Sequence, residues 1–299
     1  MFRWDKFTDL SQEVSSTLIQ ALTAPFTGGK KKGRPAGGEE SLLEPGQGYL
    51  IIVGGGKVCD DIILQVDHLA GGRNHKVIII PTGGQRFHQT AEICRRFFRR
   101  FGVEQADCLP LYTREQAENS FQVETIRQAR IICLTSGPHP LLLEVIRDTP
   151  AEEALRQSYR LGGIIMGVGL GGVLLGRLAG EVPALGMLPS CIIDQRLSEK
   201  NSLGSLMQQA ANAIRLGLPA IAVEEETALL VHHDEFRVIG RGFALVLVNQ
   251  LGESSSIHPP VNPPVLTDAL VHFLPPGYGF DLTTRRPLVP RNTAREAML

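Results

Sequence analysis

Four continuous apolar runs mark the first half of the chain: Tyr49–Val53, Val77–Ile80, Ile131–Leu134 and Gly163–Met166. A strand with one wet face alternates between apolar and polar residues. Unbroken runs of this length predict strands buried on both faces. Between them apolar residues recur at helical spacing, which predicts helices over Asp61–Leu69, Thr90–Phe101, Gln122–Gln128, Leu141–Ile146 and Glu152–Arg160. Such alternation implies right-handed βαβ crossovers and an α/β fold with a mainly parallel central sheet. The second half reads differently. Short strand-like runs at Cys191–Asp194, Ala220–Val223, Ala228–Val231, Phe236–Ile239 and Ala244–Val248 surround one helical pattern, Leu203–Leu216, and suggest antiparallel hairpins. A Pro/Ser loop, Ser254–Pro264, precedes a last strand-like stretch, Ala269–Leu274.

The pattern before Tyr49 is separate. Phe7, Leu10, Val14, Leu18 and Leu22 share one helical face, so residues 1–26 predict an amphipathic helix. Gly28–Gly48, rich in Gly, Lys, Pro and Glu, reads as a flexible linker. The expected organisation is therefore residues 1–48 as helix and linker, and residues 49–299 as the α/β domain. Lys30, Lys31 and Lys32 beside the helix suit an anionic membrane surface. A solvated linker and a helix docked on the core or on a partner subunit explain them as well, and membrane contact by residues 1–32 is not expected.

Composition narrows the classes. Of 299 residues, 43% are hydrophobic, enough for a sizeable core, and the net charge of −1 lacks the basic excess of a nucleic-acid-binding protein. Asp5, Asp9 and Glu13 interrupt any signal-peptide run. The longest uncharged stretch, Leu161–Gly176, has 16 residues, short of the roughly 18–20 that cross a bilayer. The five cysteines (Cys59, Cys94, Cys108, Cys133, Cys191) form no C-x-x-C pair. Free, scattered cysteines fit a reducing compartment, so a cytoplasmic location is expected.

The densest chemical signal is Leu161–Gly172, an apolar run entering a glycine-rich turn and then a helical pattern. In open α/β sheets such turns carry ligands and nucleophiles. This one contains no Ser, Cys or Thr. Gly167-x-Gly169-x-x-Gly172 matches the dinucleotide fingerprint, whose glycines let backbone N–H groups approach a pyrophosphate. That fingerprint normally opens the first βαβ unit, with an acidic residue about 20 positions on. Here it lies beyond the midpoint, Glu181 comes too early and Asp194 too late. Dinucleotide binding is the third-ranked reading.

A longer series of segments carries a resemblance. It comprises Leu50–Gly56, Val77–Thr82, Leu134-Thr-Ser-Gly-Pro-His139, Gly162–Gly171, Leu185–Pro189, Ile192-Ile-Asp-Gln-Arg-Leu197, Glu224-Glu-Glu-Thr-Ala-Leu229 and Leu274–Phe280. In their order these resemble the cyanophycinase family of serine peptidases, relatives of the aspartyl dipeptidases. The resemblance implies a three-layer, class I glutamine amidotransferase-like sandwich. It also implies hydrolysis of aspartyl peptide bonds, including those of the storage polymer cyanophycin, by a Ser-His-acid arrangement. Matched segment by segment, G-T-S-A-G of the family falls on Gly167–Gly171 and puts Gly169 where Ser stands. Arg196 falls on the His of I-D-Q-H-F, and Glu225 on the acid of D-E-D-T-A-L.

Two of three catalytic groups are thus missing. Loss of the nucleophile in a comparable triad costs about 10⁶ in kcat, leaving roughly 10³–10⁴ over water. Arg196 cannot act as the base, because a guanidinium stays protonated. It can pair with a carboxylate. Ser136 and His139 could in principle be a substitute nucleophile and base. As helix cap and first-turn residues they need no chemistry. His232-His233-Asp234 suggests metal ligands, but adjacent strand residues point to opposite faces, and a hairpin turn explains the run better. Glu224-Glu225-Glu226 reads as a solvated loop with one inward Glu.

The sequence therefore leads to a non-hydrolytic relative of the cyanophycinases. Its pocket would be built from Gly137, His139, Gly169, Asp194, Gln195, Arg196 and Glu225, with no catalytic group, cofactor or metal. It would bind a small acidic or aspartyl peptide-like ligand, or act architecturally as a homodimer or as a heteromer with an active paralogue. An active serine-type peptidase using non-standard residues is the alternative.

Overall fold

A computed structural model describes residues 48–55, 58–71, 75–81, 92, 95–96, 98–99, 103, 106–135, 140–177, 184–195, 202–249 and 269–290. The amphipathic helix and linker expected over residues 1–48 lie outside them, apart from residue 48. Pro45–Leu288 form one compact unit by contact. Two sheets dominate it. Among the described residues the larger has nine strands: β1 (Tyr49–Val53), β2 (Val77–Pro81), β3 (Ala106–Cys108), β4 (Ile131–Thr135), β5 (Ile164–Val168), β8 (Thr227–His232), β9 (Glu235–Gly240), β12 (Gly279–Asp281) and β13 (Arg286–Leu288). Its spatial order is β13-β12-β9-β8-β1-β5-β4-β2-β3. The smaller sheet runs β11-β10-β7-β6, with β6 (Ile192–Gln195), β7 (Ala220–Val223), β10 (Ala244–Asn249) and β11 (Ala269–Leu274).

The expectation of a mainly parallel central sheet holds for half of it. β1, β5, β4, β2 and β3 pair in parallel. On the other side of β1, β8 pairs antiparallel, as do β9, β12 and β13 in turn, so the sheet is mixed. The unbroken apolar runs have the expected cause: β2 and β4 are buried at every position. The antiparallel hairpins expected in the second half are present as β8–β9 and β10–β11.

Helices fill the crossovers. They are α1 (Asp60–Ala70), α2 (Arg114–Glu118), α3 (Ser120–Arg127), α4 (Pro140–Ile146), α5 (Pro150–Arg160), α6 (Leu170–Val173) and α7 (Ser202–Arg215). Within the Thr90–Phe101 pattern, the described positions 92, 95, 96, 98 and 99 are helical. Local chemistry sets several helix ends. The Thr113 hydroxyl accepts from the Gln116 N–H while the Gln116 side chain caps the Thr113 N–H. This reciprocal pair satisfies donors that a helix start leaves free. Asn119 caps α3 by accepting from the N–H groups of Phe121 and Gln122.

One core joins the sheets. Leu50, Ile78, Ile132 and Ile165 of the large sheet share it with Ile193, Ile221 and Val246 of the small sheet. The other face of the small sheet packs Ile192, Ala220, Ala222 and Leu247 against Leu206, Ala210 and Ala213 of α7. Among the described residues no helix is long and apolar enough to cross a membrane.

Candidate active site

The site lies where parallel strands end. β5 finishes at Val168, and Gly169 turns the chain into α6 with φ 59° and ψ −129°, angles that side-chain-bearing residues rarely adopt. The Gly169 N–H donates to the carbonyl of Val53, at the end of β1 (3.2 Å), and its own carbonyl accepts from the Gly172 N–H (2.8 Å). The neighbouring glycines are required by contact. A Cβ at Gly167 would lie 2.5 Å from the Gly171 carbonyl oxygen. A Cβ at Gly171 would collide with the carbonyl of Leu134 near the end of β4. The pattern Gly167-x-Gly169-x-Gly171 is therefore a strand-to-helix elbow pressed against the sheet, and its central position carries no side chain.

The contacts continue to the second sheet. The Gly54 N–H, just past β1, donates to the Thr227 carbonyl (3.0 Å), and a Cβ at Gly54 would collide with the carbonyl of Glu224. Glu224 follows β7 directly, and its N–H donates to the Phe243 carbonyl (3.1 Å). β6 runs beside β7 with Asp194 opposite Ala222 and Gln195 opposite Val223. The carboxyl ends of β4, β5, β1, β7 and β6 thus form one connected rim, where an open α/β sheet places its ligands.

Gly169, Asp194, the backbone of Gln195 and Glu225 fall on that rim or the turn beside it. Ser136, Gly137 and His139, immediately after β4, lie outside the described residues, as do Arg196 and the Gln195 side chain. Of the three glutamates, Glu225 is exposed, and its carbonyl accepts from the Thr227 hydroxyl (3.0 Å). Glu224 is half-buried against Gly242, whose added Cβ would sit 2.9 Å from the Glu224 Cγ. Glu226 has φ 54° and takes a bond from Arg241 Nη1 (3.4 Å), while Arg241 Nε stands 3.8 Å from Asp61. Glu224 and Glu226 are therefore half-buried, and Glu225 is the exposed member of the run.

Gly242 lies outside every sequence pattern and Thr227 enters only as a member of the Glu224–Leu229 segment, because their importance arises from contacts between β8 and the β9–β10 connection. The His run forms the β8–β9 turn, as expected, and the rings of His232 and His233 lie 4.1 Å apart there. His233 has φ 54°, so strand alternation does not apply to it. No cluster of three or more metal-ligating side chains occurs among the described residues. The dinucleotide reading meets a short element: α6 has four residues, and Gly171 and Gly172 within it are buried. Cys59, at the start of α1, donates to the Glu226 carbonyl (3.4 Å), and burial first, with Asp61 adding to it, pushes its thiol pKa up. It is held as a neutral thiol, a poor nucleophile.

Comparison with known proteins covers the same rim. A family model described as peptidase family S51 matches residues 50–239. A cyanophycinase from Geminocystis herdmanii is 27% identical over 263 residues, spanning 80% of this chain and 95% of the relative. A cyanophycinase from Nostoc sp. is 28% identical over 239 residues, spanning 73% and 79%. Among solved structures, a peptidase from an acI-B1 Actinobacterium superposes with a TM-score of 0.54 at 19% identity, covering 67% of this chain and 90% of that one. A putative peptidase E from Listeria monocytogenes EGD-e gives 0.50 at 12% identity, covering 64% and 98%.

Proposed function

The chain belongs to peptidase family S51, and from that premise we propose that it is a member that binds an acidic or aspartyl peptide-like ligand without hydrolysing it. One observation carries the reading: Gly169 has the backbone angles of a nucleophile elbow and no side-chain atom to attack with. A serine there would hold those angles under strain of about 1–3 kcal/mol, whereas glycine adopts them freely. The thiol of Cys59, beside Glu226, is buried with its pKa pushed up and offers no substitute. Arg196, in the position that resembles the family's His, is the group to receive a ligand carboxylate as a paired, charge-assisted bond. Asp194, Gln195, Gly137 and His139 complete the proposed pocket, with Glu225 at its rim. An architectural role, as a homodimer or beside an active paralogue, is the reading that remains if no ligand binds.

Incubation with β-aspartyl-arginine dipeptide or cyanophycin is expected to release no product. Turnover that disappears in Ser136→Ala would overturn the proposal in favour of a peptidase with a relocated nucleophile. Binding is read by thermal shift with aspartate and the same dipeptide. A rise in melting temperature that is lost in Arg196→Ala supports the pocket, and a flat response across these probes favours the architectural role.

A further inference from the structure

The geometry points to Thr227 as a positioning residue that fixes the turn carrying Glu225, with Gly242 as its counterpart between β9 and β10. The inference deepens the ligand-binding reading and rests on it for the ligand alone. Thr227 opens β8, directly after the three glutamates, and is fully buried. Its hydroxyl donates to the Glu225 carbonyl (3.0 Å) and accepts from the Gly242 N–H (2.9 Å). Its carbonyl accepts from the Gly54 N–H (3.0 Å). A threonine hydroxyl offers one donor and an acceptor oxygen, and both are used here. The side chain therefore ties the glutamate turn to the β9–β10 connection, while the main-chain carbonyl of the same residue holds the end of β1.

The packing leaves that turn little freedom. A Cβ at Gly242 would lie 2.6 Å from the Thr227 hydroxyl oxygen and 2.9 Å from the Glu224 Cγ. A Cβ at Gly240 would collide with the carbonyl of Glu226. The Arg241 N–H donates to that same carbonyl (3.0 Å), and the Arg241 side chain reaches the Glu226 carboxylate. Three successive carboxylates repel one another, and the clamp holds them in different settings: Glu224 half-buried beside Gly242, Glu226 facing Arg241, and Glu225 exposed at a fixed point beside the rim. Valine has the shape of threonine without the hydroxyl. It would leave the Gly242 N–H and the Glu225 carbonyl without this partner while filling the same space.

The test uses the full chain with Thr227→Val and Thr227→Ser, read by amide hydrogen exchange and by calorimetric titration with β-aspartyl-arginine dipeptide. In the valine variant the Gly242 amide is expected to exchange at least tenfold faster, and dipeptide affinity to fall at least tenfold. The serine variant, which keeps the hydroxyl, is expected to restore both. Unchanged exchange at Gly242, or a serine variant as impaired as valine, would overturn the positioning role, since volume and not the hydroxyl would then decide. If the valine variant does not fold, Gly242→Ala, which crowds the hydroxyl without removing it, is expected to give the same tenfold losses. Wild-type affinity in that variant would overturn the role. If wild type binds no dipeptide, the ligand reading fails. The exchange comparison still decides whether Thr227 sets the turn.

Discussion

Gly169 sits in a backbone region closed to most residues, and the turn is fixed on both sides by hydrogen bonds to Val53 and Gly172. Adding a side chain there costs conformational energy that no new contact has evolved to offset. Gly169→Ser is expected to lower stability by about 1–3 kcal/mol, measured by chemical denaturation. An unchanged midpoint would show that the elbow relaxes to other angles. The same variant is expected to remain inactive on aspartyl peptides, because Arg196 cannot take the serine proton. The adjacent glycines have a different basis. Gly171 is excluded from carrying a side chain by the Leu134 carbonyl, which belongs to the neighbouring strand. One residue of this turn is thus glycine for its angles, and another for the closeness of the sheet.

Elements show where a sequence is readable and where it is not. The buried strands were legible because each apolar run is longer than chance allows in a loop, and Tyr49–Val53 and Ala220–Val223 match their elements in full. β3 and β13 were not, since three residues such as Ala106-Asp107-Cys108 carry no period. The mixed character of the large sheet was hidden for another reason. Ala228–Val231 reads as one arm of an antiparallel hairpin, and nothing local shows that this hairpin joins the sheet of β1. The glycine elbow could be read locally. The Thr227–Gly242 bond could not, because it depends on how β8 meets the connection from β9 to β10. The end of β8 carries a further expectation. The His232 ring stacks on Tyr49 at 4.5 Å, and its Nδ1 lies 3.0 Å from the Gly48 carbonyl. Burial, the largest influence, lowers its pKa, with the nearby His233 acting the same way and the Gly48 bond opposing. A folded pKa below the unfolded value of about 6.5 means that the unfolded chain binds the proton first. This contribution to stability is complete above about pH 6.5 and declines as pH falls below it. His272, also lowered by burial, adds in the same direction. Denaturation midpoints at pH 7.5 and 5.5 should show the decline, and His232→Asn should flatten it. An equal slope in the variant would assign the decline to other groups.

At the scale of the whole molecule, β1 is the hub. It pairs with β5 on one side and β8 on the other, and Gly54 at its end meets the small sheet through Glu224. Four of its five residues are buried, so both of its edges and both of its faces must be covered together. A chain ended at Leu218 would lack β7 to β13 and leave one edge of β1 open. Such a fragment is expected to sediment with aggregates while the full chain stays soluble, and a soluble, protease-resistant fragment would contradict this. The pairing of Leu50 with Val231 also sets a schedule during synthesis. At 5–20 residues per second, β1 leaves the ribosome roughly 10–40 s before its antiparallel neighbour exists. For that interval its apolar edge has no native partner. Production of this protein in a cell therefore depends on how well nascent chains are shielded, and slower translation would lengthen the exposure.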